Sequence, residues 1–325
     1  MSIWGCLVVV RQQAFFNKEH RLDDYLEVKM EKLNRVAVVG AGMMGAEIAL
    51  SFALHGFQVL LKDISLDLAT AGKNRIEGIL TKWEEKGKIE HEESKKTIEH
   101  VVPQNDYSGF DEVVLVVEAV IEEVQAKRQV FSEVNEVCKQ DCILASNTSS
   151  IPITQLAAST SRPNLFIGMH FFSPASIMKL VEVIPGLDTS EETIVKTMNI
   201  VREIGKEPIR VADRAGFIVN RLLFAFFNEA WRIVNEGAAT PEDIDKAVKL
   251  GLGHPVGIFQ MQDLVGLDNA LAISNILYEE YGGRFKPSPL LKRKVAANHL
   301  GRKVKRGWFD YHNPPQSPKK AEGSG

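Results

Sequence analysis

Polar side chains capable of proton transfer stand beside three apolar, strand-like segments of the chain. Asn147 to Ser150 follow one such segment, His170 follows the next, and Glu182 lies inside a third. Ligands of open parallel sheets bind outside the carboxyl ends of the strands, so the serine and histidine positions are expected to face a bound ligand. A carboxylate buried inside a strand needs a partner, because an isolated buried charge is strongly unfavourable. His170 is the natural candidate.

A glycine-rich turn is predicted near the start of the α/β pattern. Gly40, Gly42 and Gly45 form G-x-G-x-x-G directly after an apolar strand and at the start of an alanine-rich helix. The first glycine permits a tight turn, the second lets a pyrophosphate approach the backbone, and the third lets the helix pack against the sheet. The N–H groups of the helix N-terminus would then face the phosphates. A glycine turn in a generic α/β fold, or a site for FAD or a nucleotide-sugar, would fit the same pattern.

Asp63 ends the second predicted strand and stands 18 residues after Gly45. This is close to the spacing of about 20 residues that is typical of a ribose-binding acid. Such a carboxylate accepts hydrogen bonds from both ribose hydroxyls and repels a 2′-phosphate, which favours NAD over NADP as the cofactor. Lys62, its neighbour, could weaken that preference.

His170 and Glu182 suit the removal of a proton from an alcohol while a hydride passes to a nicotinamide. Histidine has an ordinary pKa of about 6.5, so it can act as a general base near neutral pH. A carboxylate on its other ring nitrogen fixes the tautomer and stabilises the imidazolium. The alternative is a histidine at a strand end whose ring is satisfied by backbone groups. Spacing alone leaves both open.

The elements that must position these residues alternate between short β-rich segments and longer helical ones. Strands are predicted at 36–39, 58–61, 113–117, 143–145, 165–169 and 180–184, with helices such as 46–54, 66–86 and 123–139 between them. This alternation implies a parallel sheet covered by helices on both faces. After about Asp213 the pattern is only helical, and 218–235 forms one long amphipathic helix.

The sequence therefore predicts an α/β Rossmann-type N-terminal domain with a parallel sheet, followed by an all-α C-terminal domain. We assign residues 30–212 to the first domain and 213–313 to the second. Residues 1–29 are predicted to be an N-terminal appendage, and 314–325 a disordered tail rich in Pro, Lys, Gly and Ser. Four aromatic residues crowd the long helix and could belong to the core, a subunit interface or an acyl pocket: Phe224, Phe226, Phe227 and Trp231.

Composition argues against several classes of function. The 325 residues carry a formal net charge of −3, which offers no general attraction to nucleic acid. Cys6, Cys138 and Cys142 form no disulfide framework and have no nearby histidine that would suggest zinc, so we expect no metal and a reducing, cytoplasmic setting. The apolar run 3–10 is too short to span a bilayer, and we expect no membrane partner.

Six segments together resemble the 3-hydroxyacyl-CoA dehydrogenase family, including its 3-hydroxybutyryl-CoA dehydrogenases. They are VAVVGAGMMGAEIA, VVEAVIEEVQAK, ASNTSSIPIT, GMHFFSPASIMKLVEVIPG, AGFIVNRLL and GLGHPVGIFQMQDLVGLD, in family order over roughly residues 30–311. The resemblance implies NAD-dependent oxidation of an L-3-hydroxyacyl-CoA to the 3-ketoacyl-CoA, or the reverse reduction of acetoacetyl-CoA. It also implies a place in β-oxidation or butanoate metabolism and a homodimer formed through the C-terminal helical domain.

The resemblance implies catalytic roles for four residues. His170 matches the family's catalytic base, and Glu182 matches the carboxylate that orients it. Ser149 matches the serine that hydrogen-bonds the C3 oxygen of the substrate. Asn220 matches an active-site asparagine near the substrate. Ser173 stands where the family often has asparagine, so its shorter side chain would hold the histidine and substrate differently.

Further residues are implied in binding. Glu122 and Lys127 match positions that contact the nicotinamide end of the cofactor, and we place Asn147, at the carboxyl end of its strand, among the cofactor contacts. Lys73 lies in the helical region where the family meets the CoA moiety. Without the resemblance, Glu122, Lys127 and Lys73 would be read as ordinary charges on helix surfaces.

Two other functions stay open at this stage. A dehydrogenase of free β-hydroxyacids pairs a similar α/β domain with a helical one but typically relies on a catalytic lysine, whereas this chain has the His170–Glu182 pair. A non-catalytic NAD-binding homologue need not retain a serine, histidine, glutamate and asparagine set, and this chain retains all four. Assays with acetoacetyl-CoA and with free hydroxyacids would separate the three possibilities.

Overall fold

The computed structural model describes residues 35–312, so the predicted appendage 1–29 and tail 314–325 lie outside the described residues. Its strands form one sheet. They are β1 (Arg35–Val39), β2 (Gln58–Lys62), β3 (Val101–Gln104), β4 (Leu115–Glu118), β5 (Ile143–Ser146), β6 (Phe166–Phe171), β7 (Leu180–Pro185) and β8 (Glu207–Arg210). The strand order is β3-β2-β1-β4-β5-β6-β7-β8.

The sheet is parallel except at one pair of strands. From β3 across to β6 all neighbours run parallel, and β8 runs parallel to β7, but β7 is antiparallel to β6. The predicted Rossmann-type sheet is confirmed, and β7 is the departure from it. The cause is the short connection 172–179, because a parallel crossover needs about a dozen residues or more. The chain therefore turns back on itself after β6.

Within residues 35–312, six helices are interleaved with the strands and five more form the C-terminal domain. The first six are α1 (Met43–Ala53), α2 (Leu66–Glu84), α3 (His91–Glu99), α4 (Val124–Val137), α5 (Ile153–Ala157) and α6 (Glu191–Glu203). The other five are α7 (Val219–Asn235), α8 (Pro241–Gly251), α9 (Ile258–Val265), α10 (Leu267–Tyr281) and α11 (Pro289–Ala296). The predicted helical C-terminal domain is confirmed.

The helical domain has an apolar core of its own, and this answers most of the question about the aromatic residues of α7. Phe224, Phe227 and Trp231 are each at most 1% exposed and belong to that core. Phe226 is only partly buried and packs edge-on against His254. Three of the four aromatic side chains are therefore structural, and the amphipathic pattern of the helix reflects burial against α9 and α10.

Two strands were not predicted from the sequence, and both lie at edges of the sheet. β3 contains Pro103, and β8 reads Glu-Pro-Ile-Arg with no buried residue. Proline and charged residues are tolerated in edge strands because one side of the strand forms no ladder. No helix within residues 35–312 is long and apolar enough to cross a bilayer. In the same range, no group of three or more His, Cys, Asp or Glu side chains is arranged to hold a metal ion.

Candidate active site

The turn between β1 and α1 shows why two of its three glycines are needed. Gly40 has a φ of +101°, and a Cβ there would lie 2.6 Å from the carbonyl oxygen of Ala119. A Cβ at Gly45 would overlap the carbonyl oxygen of Gly40, so only glycine lets the helix start this close to the strand. Gly42 differs, because a Cβ there would have no heavy atom within 4 Å. Its backbone is open to a ligand.

Asp63 follows β2, and its carboxylate turns toward this glycine turn. Oδ2 accepts a hydrogen bond from the Ala41 N–H at 2.7 Å, and Oδ1 accepts one from the Ile64 N–H at 2.7 Å. No side chain caps the N-terminus of α1, so its first N–H groups are available to an anion. These features fit a dinucleotide whose pyrophosphate lies on the start of α1 and whose ribose meets Asp63.

His170 and Glu182 form a buried pair across two strands. His170 was predicted to follow the strand 165–169, but β6 extends to Phe171 and includes it, and Glu182 stands directly opposite it on β7. Directly opposed residues of antiparallel strands share one face of the sheet. Nδ1 of His170 is therefore 2.7 Å from Oε2 of Glu182, with side-chain exposures of 8% and 0%. The ring packs against Phe172 and Phe217, at centroid distances of 4.5 and 5.6 Å.

The other oxygen of Glu182 joins this pair to the helical domain. Oε1 accepts hydrogen bonds from the N–H groups of Ile218 and Val219, both at 3.0 Å, where α7 begins. A carboxylate only accepts hydrogen bonds, so Nδ1 of His170 carries the ring proton in this contact. Nε2 has no hydrogen-bond partner within residues 35–312 and keeps contact with solvent. It is the nitrogen free to act as a base.

Ser149 lies in the turn after β5, and Glu122 holds this turn from the loop after β4. Oε1 of Glu122 accepts hydrogen bonds from Thr148 Oγ1 at 2.6 Å, the Ser149 N–H at 2.9 Å and Ser150 Oγ at 3.0 Å. The Ser149 hydroxyl is 3.4 Å from the same oxygen, a contact weak enough to be exchanged for another acceptor. Burial alone would raise the pKa of Glu122, but the Lys127 ammonium and the Thr148 and Ser149 hydrogen bonds hold it below its ordinary value.

Glu122 belongs to a cluster of ion pairs, and the sequence analysis did not single out one member of it, Glu118. Nζ of Lys127, on α4, is 2.6 Å from Oε1 of Glu118 and 3.1 Å from Oε2 of Glu122. Glu118, at the end of β4, also accepts from the Val120 N–H at 2.7 Å and from Ser146 Oγ at 2.6 Å. Burial raises the pKa of Glu118, and Lys127 offsets only part of this effect. The signal for Glu118 was a carboxylate ending an apolar strand, the same signal that singled out Asp63.

Three predicted site residues occupy the ends of these elements. Asn147 joins the ends of β5 and β6, because its Oδ1 accepts from the Phe171 N–H at 2.9 Å. Asn220 lies in the first turn of α7, next to the N–H groups that bind Glu182. Ser173 is exposed in the connection after β6. The structure thus brings Asn147 to the sheet ends and Asn220 to the domain junction.

Lys73 lies on α2 and is half-buried. Its neighbour Gly72 packs tightly on the glycine turn, since a Cβ there would lie 2.7 Å from that of Ala41. Lys73 is therefore the sequence neighbour of a residue that packs against the glycine turn. None of the described hydrogen bonds or ion pairs assigns it a protein partner.

Lys206 is a buried residue of the site region that the sequence did not reveal. Its Nζ donates hydrogen bonds to the carbonyl oxygens of Ala175, at 2.6 Å, and Met178, at 2.9 Å. Both carbonyls belong to the connection that carries Ser173 between the strands of His170 and Glu182. Burial lowers the pKa of Lys206, and nearby Glu47 counteracts part of that effect. A lysine between a helix and an edge strand carried no distinguishing pattern in the sequence.

A glycine turn and a ribose-type aspartate on a mainly parallel sheet, with a buried His–Glu pair on the same sheet, define a dinucleotide-dependent oxidoreductase. Comparison with protein families makes this specific. The model for the NAD-binding domain of 3-hydroxyacyl-CoA dehydrogenase matches residues 35–214, and the model for the C-terminal domain of the same enzymes matches residues 216–311. The chain belongs to the 3-hydroxyacyl-CoA dehydrogenase family, and its cofactor is NAD.

Individual relatives agree with this assignment. The chain is 43% identical over 284 residues to a 3-hydroxybutyryl-CoA dehydrogenase of Clostridioides difficile, which covers 86% of this chain and 99% of the relative. It is 38% identical over 287 residues to the mitochondrial hydroxyacyl-coenzyme A dehydrogenase of Sus scrofa, over 86% of this chain and 91% of that protein. The crystal structure of an (S)-3-hydroxybutyryl-CoA dehydrogenase from Ralstonia eutropha is similar with a TM-score of 0.83 and 38% identity, over 86% of this chain and 100% of that chain.

Proposed function

We propose that this chain oxidises an L-3-hydroxyacyl-CoA to the 3-ketoacyl-CoA with NAD, and catalyses the reverse reduction of acetoacetyl-CoA. The observation that carries the proposal is the buried His170–Glu182 pair, with a free Nε2, in a chain of the 3-hydroxyacyl-CoA dehydrogenase family. The name of the Clostridioides difficile relative supports a short acyl chain. We propose that it works in β-oxidation or butanoate metabolism, the pathways of its family.

His170 is the proposed general base of the oxidation. Its Nε2 takes the proton of the C3 hydroxyl, and Glu182 stabilises the imidazolium that forms, since their hydrogen bond already spans 2.7 Å. Bound NAD supplies the acceptor for the hydride that leaves C3. In the reductive direction the same imidazolium returns its proton to the C3 oxygen.

Ser149 and Asn220 are the proposed contacts of the reacting end of the substrate. The Ser149 hydroxyl can leave its 3.4 Å contact with Glu122 and donate to the C3 oxygen instead. Asn220 lies one residue beyond the Val219 N–H that holds Glu182, so it shares the domain junction with the base. Ser173, in the connection between the two strands of the pair, is proposed to hold the substrate with a shorter side chain than asparagine.

The cofactor and the CoA moiety are proposed to meet the carboxyl ends of the strands. Gly40, Gly42 and Gly45 would hold the pyrophosphate of NAD, and Asp63 its adenosine ribose. Glu122, Lys127 and Asn147 are proposed to contact the nicotinamide end of the cofactor. Lys73 on α2 is the proposed partner for a phosphate group of CoA.

The test is NADH oxidation with acetoacetyl-CoA, compared with acetoacetate and other free β-ketoacids. We expect turnover with the thioester and none with the free acids. We also expect His170→Ala to lower kcat by about 10²- to 10⁴-fold, the usual contribution of general acid–base catalysis. Turnover restricted to free acids would favour a β-hydroxyacid dehydrogenase, and NADH binding without turnover would favour a non-catalytic homologue.

A homodimer through the helical domain is the proposed assembly. Leu222, Leu250 and Leu252 of that domain are 68%, 77% and 63% exposed, which is costly for side chains of this size if they stay in water. We expect Leu250→Glu to yield monomers in light scattering coupled to gel filtration. Leu187→Glu is the control, because Leu187 is 82% exposed but lies in the α/β domain. A monomeric wild-type protein would refute the proposal.

The compartment is proposed to be the cytoplasm. Cys138 and Cys142 are both buried free thiols, as expected of a protein that works in a reducing environment. Thiol labelling of the denatured protein, prepared from cells under acid quench, should find both residues reduced. An oxidised pair would contradict this placement.

A further inference from the structure

The connection between β6 and β7, residues 172–179, contains a compact turn next to the buried His–Glu pair. The N–H groups of Ile177 and Met178 both donate to the carbonyl oxygen of Pro174, at 3.0 and 2.9 Å. A single turn cannot satisfy its later carbonyl groups internally, and Ala175 is fully buried. The carbonyl oxygens of Ala175 and Met178 therefore need hydrogen-bond donors from another part of the chain.

Lys206, the residue before β8, supplies those donors. Its Nζ donates to the Ala175 carbonyl oxygen at 2.6 Å and to the Met178 carbonyl oxygen at 2.9 Å. Lys206 is only 6% exposed, and an ammonium this buried is strongly unfavourable without acceptors. Burial lowers the pKa of Lys206, and the Glu47 carboxylate offsets part of that effect. The ammonium and the two carbonyl groups therefore depend on each other.

Helix α1 contacts the same connection more weakly. Ser51 Oγ lies 3.2 Å from the carbonyl oxygen of Ala175, but its one proton is shared with the Glu47 carbonyl oxygen at 2.9 Å. The Glu47 carboxylate accepts a hydrogen bond from the Ser176 N–H at 3.4 Å, which is long for such a contact. The hydrogen bonds of Lys206 are shorter and are donated by a charged group, so the ammonium is the principal anchor of the connection.

The position of this connection matters because of the residues that it carries. It begins at Phe172, whose ring packs against the ring of His170 at a centroid distance of 4.5 Å. Ser173, which is proposed to hold the substrate, comes next in the chain. The connection also returns the chain so that Glu182 stands opposite His170. A shift of the turn would therefore move a neighbour of the base and a proposed substrate contact together.

We propose that Lys206 is a positioning residue of this site. Its ammonium fixes the connection 172–179, and the connection in turn holds Phe172 against the imidazole and Ser173 at the substrate. The substrate part of this statement rests on the proposed function, whereas the effect on the connection does not. Lys206 acts through these residues, because its two short hydrogen bonds go to main-chain oxygens of the turn. Without the ammonium, the turn keeps only the longer contacts from α1.

The experiment compares Lys206→Met with Lys294→Met and with wild-type protein. Methionine is close to lysine in length but has no N–H group to donate. Lys294 is the matched control, because it is half-buried in the helical domain and its Nζ donates to the carbonyl oxygen of Gly307 at 2.8 Å. We expect kcat/KM for acetoacetyl-CoA to fall roughly 10- to 100-fold in Lys206→Met, the scale of a small misplacement of a reacting group. Lys294→Met should keep the activity of wild type.

Two measurements separate positioning from a general loss of stability. The affinity for NADH should be unchanged in Lys206→Met, because the glycine turn and Asp63 make no contact with the ammonium. The ¹H and ¹⁵N chemical shifts of the His170 ring should change in Lys206→Met and stay constant in Lys294→Met, since only the first variant alters how Phe172 packs against that ring. Unchanged His170 shifts in Lys206→Met would overturn the proposal.

Hydrogen exchange gives a readout that needs no turnover. The amides of residues 176–178 should exchange faster in Lys206→Met than in wild-type protein or Lys294→Met, because the turn is no longer held. Unchanged exchange would overturn the proposal, as would full activity of Lys206→Met or equal losses of activity in the two variants. A wild-type protein without activity would refute the proposed function alone, and the exchange data would still decide on positioning. If Lys206→Met fails to fold, Lys206→Gln takes its place with the same expected results.

Discussion

Replacing Glu182 by glutamine should reverse the tautomer of His170 without disturbing the fold. The N–H groups of Ile218 and Val219 both donate to one oxygen of Glu182 at 3.0 Å. Glutamine has one oxygen, and these two buried donors require it. Its NH₂ group must then take the place of Oε2, 2.7 Å from Nδ1 of His170. An NH₂ group can only donate there, so Nδ1 becomes the acceptor and the ring proton moves to Nε2.

The expected loss of activity follows from this change of tautomer. With Nε2 protonated the ring cannot accept the hydroxyl proton, and the imidazolium would place two donors face to face. We expect kcat for hydroxyacyl-CoA oxidation to fall about 10³- to 10⁴-fold, the cost of a mis-set tautomer or a lost general base in other enzymes. Stability should change little, because three charge-assisted hydrogen bonds become neutral ones while a buried charge is removed, a net of about 1–2 kcal/mol.

The assay is NAD reduction with L-3-hydroxybutyryl-CoA, together with ¹⁵N NMR of the His170 ring and a thermal melt. Asp213→Asn is the matched control, since Asp213 accepts the N–H groups of Ile153 and Thr154 at 2.9 Å but does not contact the histidine. We expect the control to keep near wild-type kcat. The reasoning fails if Glu182→Gln keeps kcat within tenfold of wild type, or if NMR finds the proton still on Nδ1.

Four further outcomes are expected. Asp63→Ala should weaken NADH binding and reduce the preference for NADH over NADPH. An unchanged preference would mean that another residue contacts the ribose. Gly42→Val should weaken NADH binding with an unaltered melting temperature, because a side chain there meets open space, and a strongly lowered melting temperature would contradict this. Gly45→Ala should fail to fold or melt far below wild type, because its Cβ would overlap backbone, and a normal melt would refute the packing argument. The pKa of Glu122 is lowered, so its ionisation stabilises the fold at neutral pH and this contribution is lost as pH falls through the folded-state value, below the ordinary 4.5. The melting temperature of Glu122→Gln should therefore not show that loss as the pH is lowered. If its melting temperature falls with pH in parallel with that of wild type, the carboxylate contributes nothing to stability.

Much of the cofactor region could be predicted because its determinants are local in sequence. The three glycines lie within six residues, and Asp63 follows a strand that pairs directly with the one before the turn. Such spacings depend on the backbone geometry of one strand–turn–helix unit. They hold whatever the rest of the chain does, which is why the pattern and the structure agree.

The buried His170–Glu182 pair was predicted from the cost of burying a charge, but its geometry was not. A parallel β7 would have placed Glu182 in another register, whereas the antiparallel return sets it directly opposite His170. That return depends on a connection whose path is held by Lys206, far along the chain. Alternating hydrophobicity carries no information about strand direction.

Glu118 and Lys127 show a second limit. Lys127 is predicted to contact the cofactor, and the sequence did not reveal that it also lies, 1% exposed, between two carboxylates. The spacing of charged residues along a helix does not show whether a charge is solvated or buried when its partners lie outside that helix. Ser146, which completes the surroundings of Glu118, comes 28 residues later, beyond the reach of any local pattern.

The most direct measurement is a crystal structure of the protein with NAD and acetoacetyl-CoA. The account predicts Nε2 of His170 within about 2.6–3.2 Å of the C3 oxygen, the reach of a hydrogen bond to a general base. It also predicts that Glu182 still holds Nδ1. A complex in which the C3 oxygen meets another proton carrier, with the imidazole of His170 out of reach, would contradict the central claim.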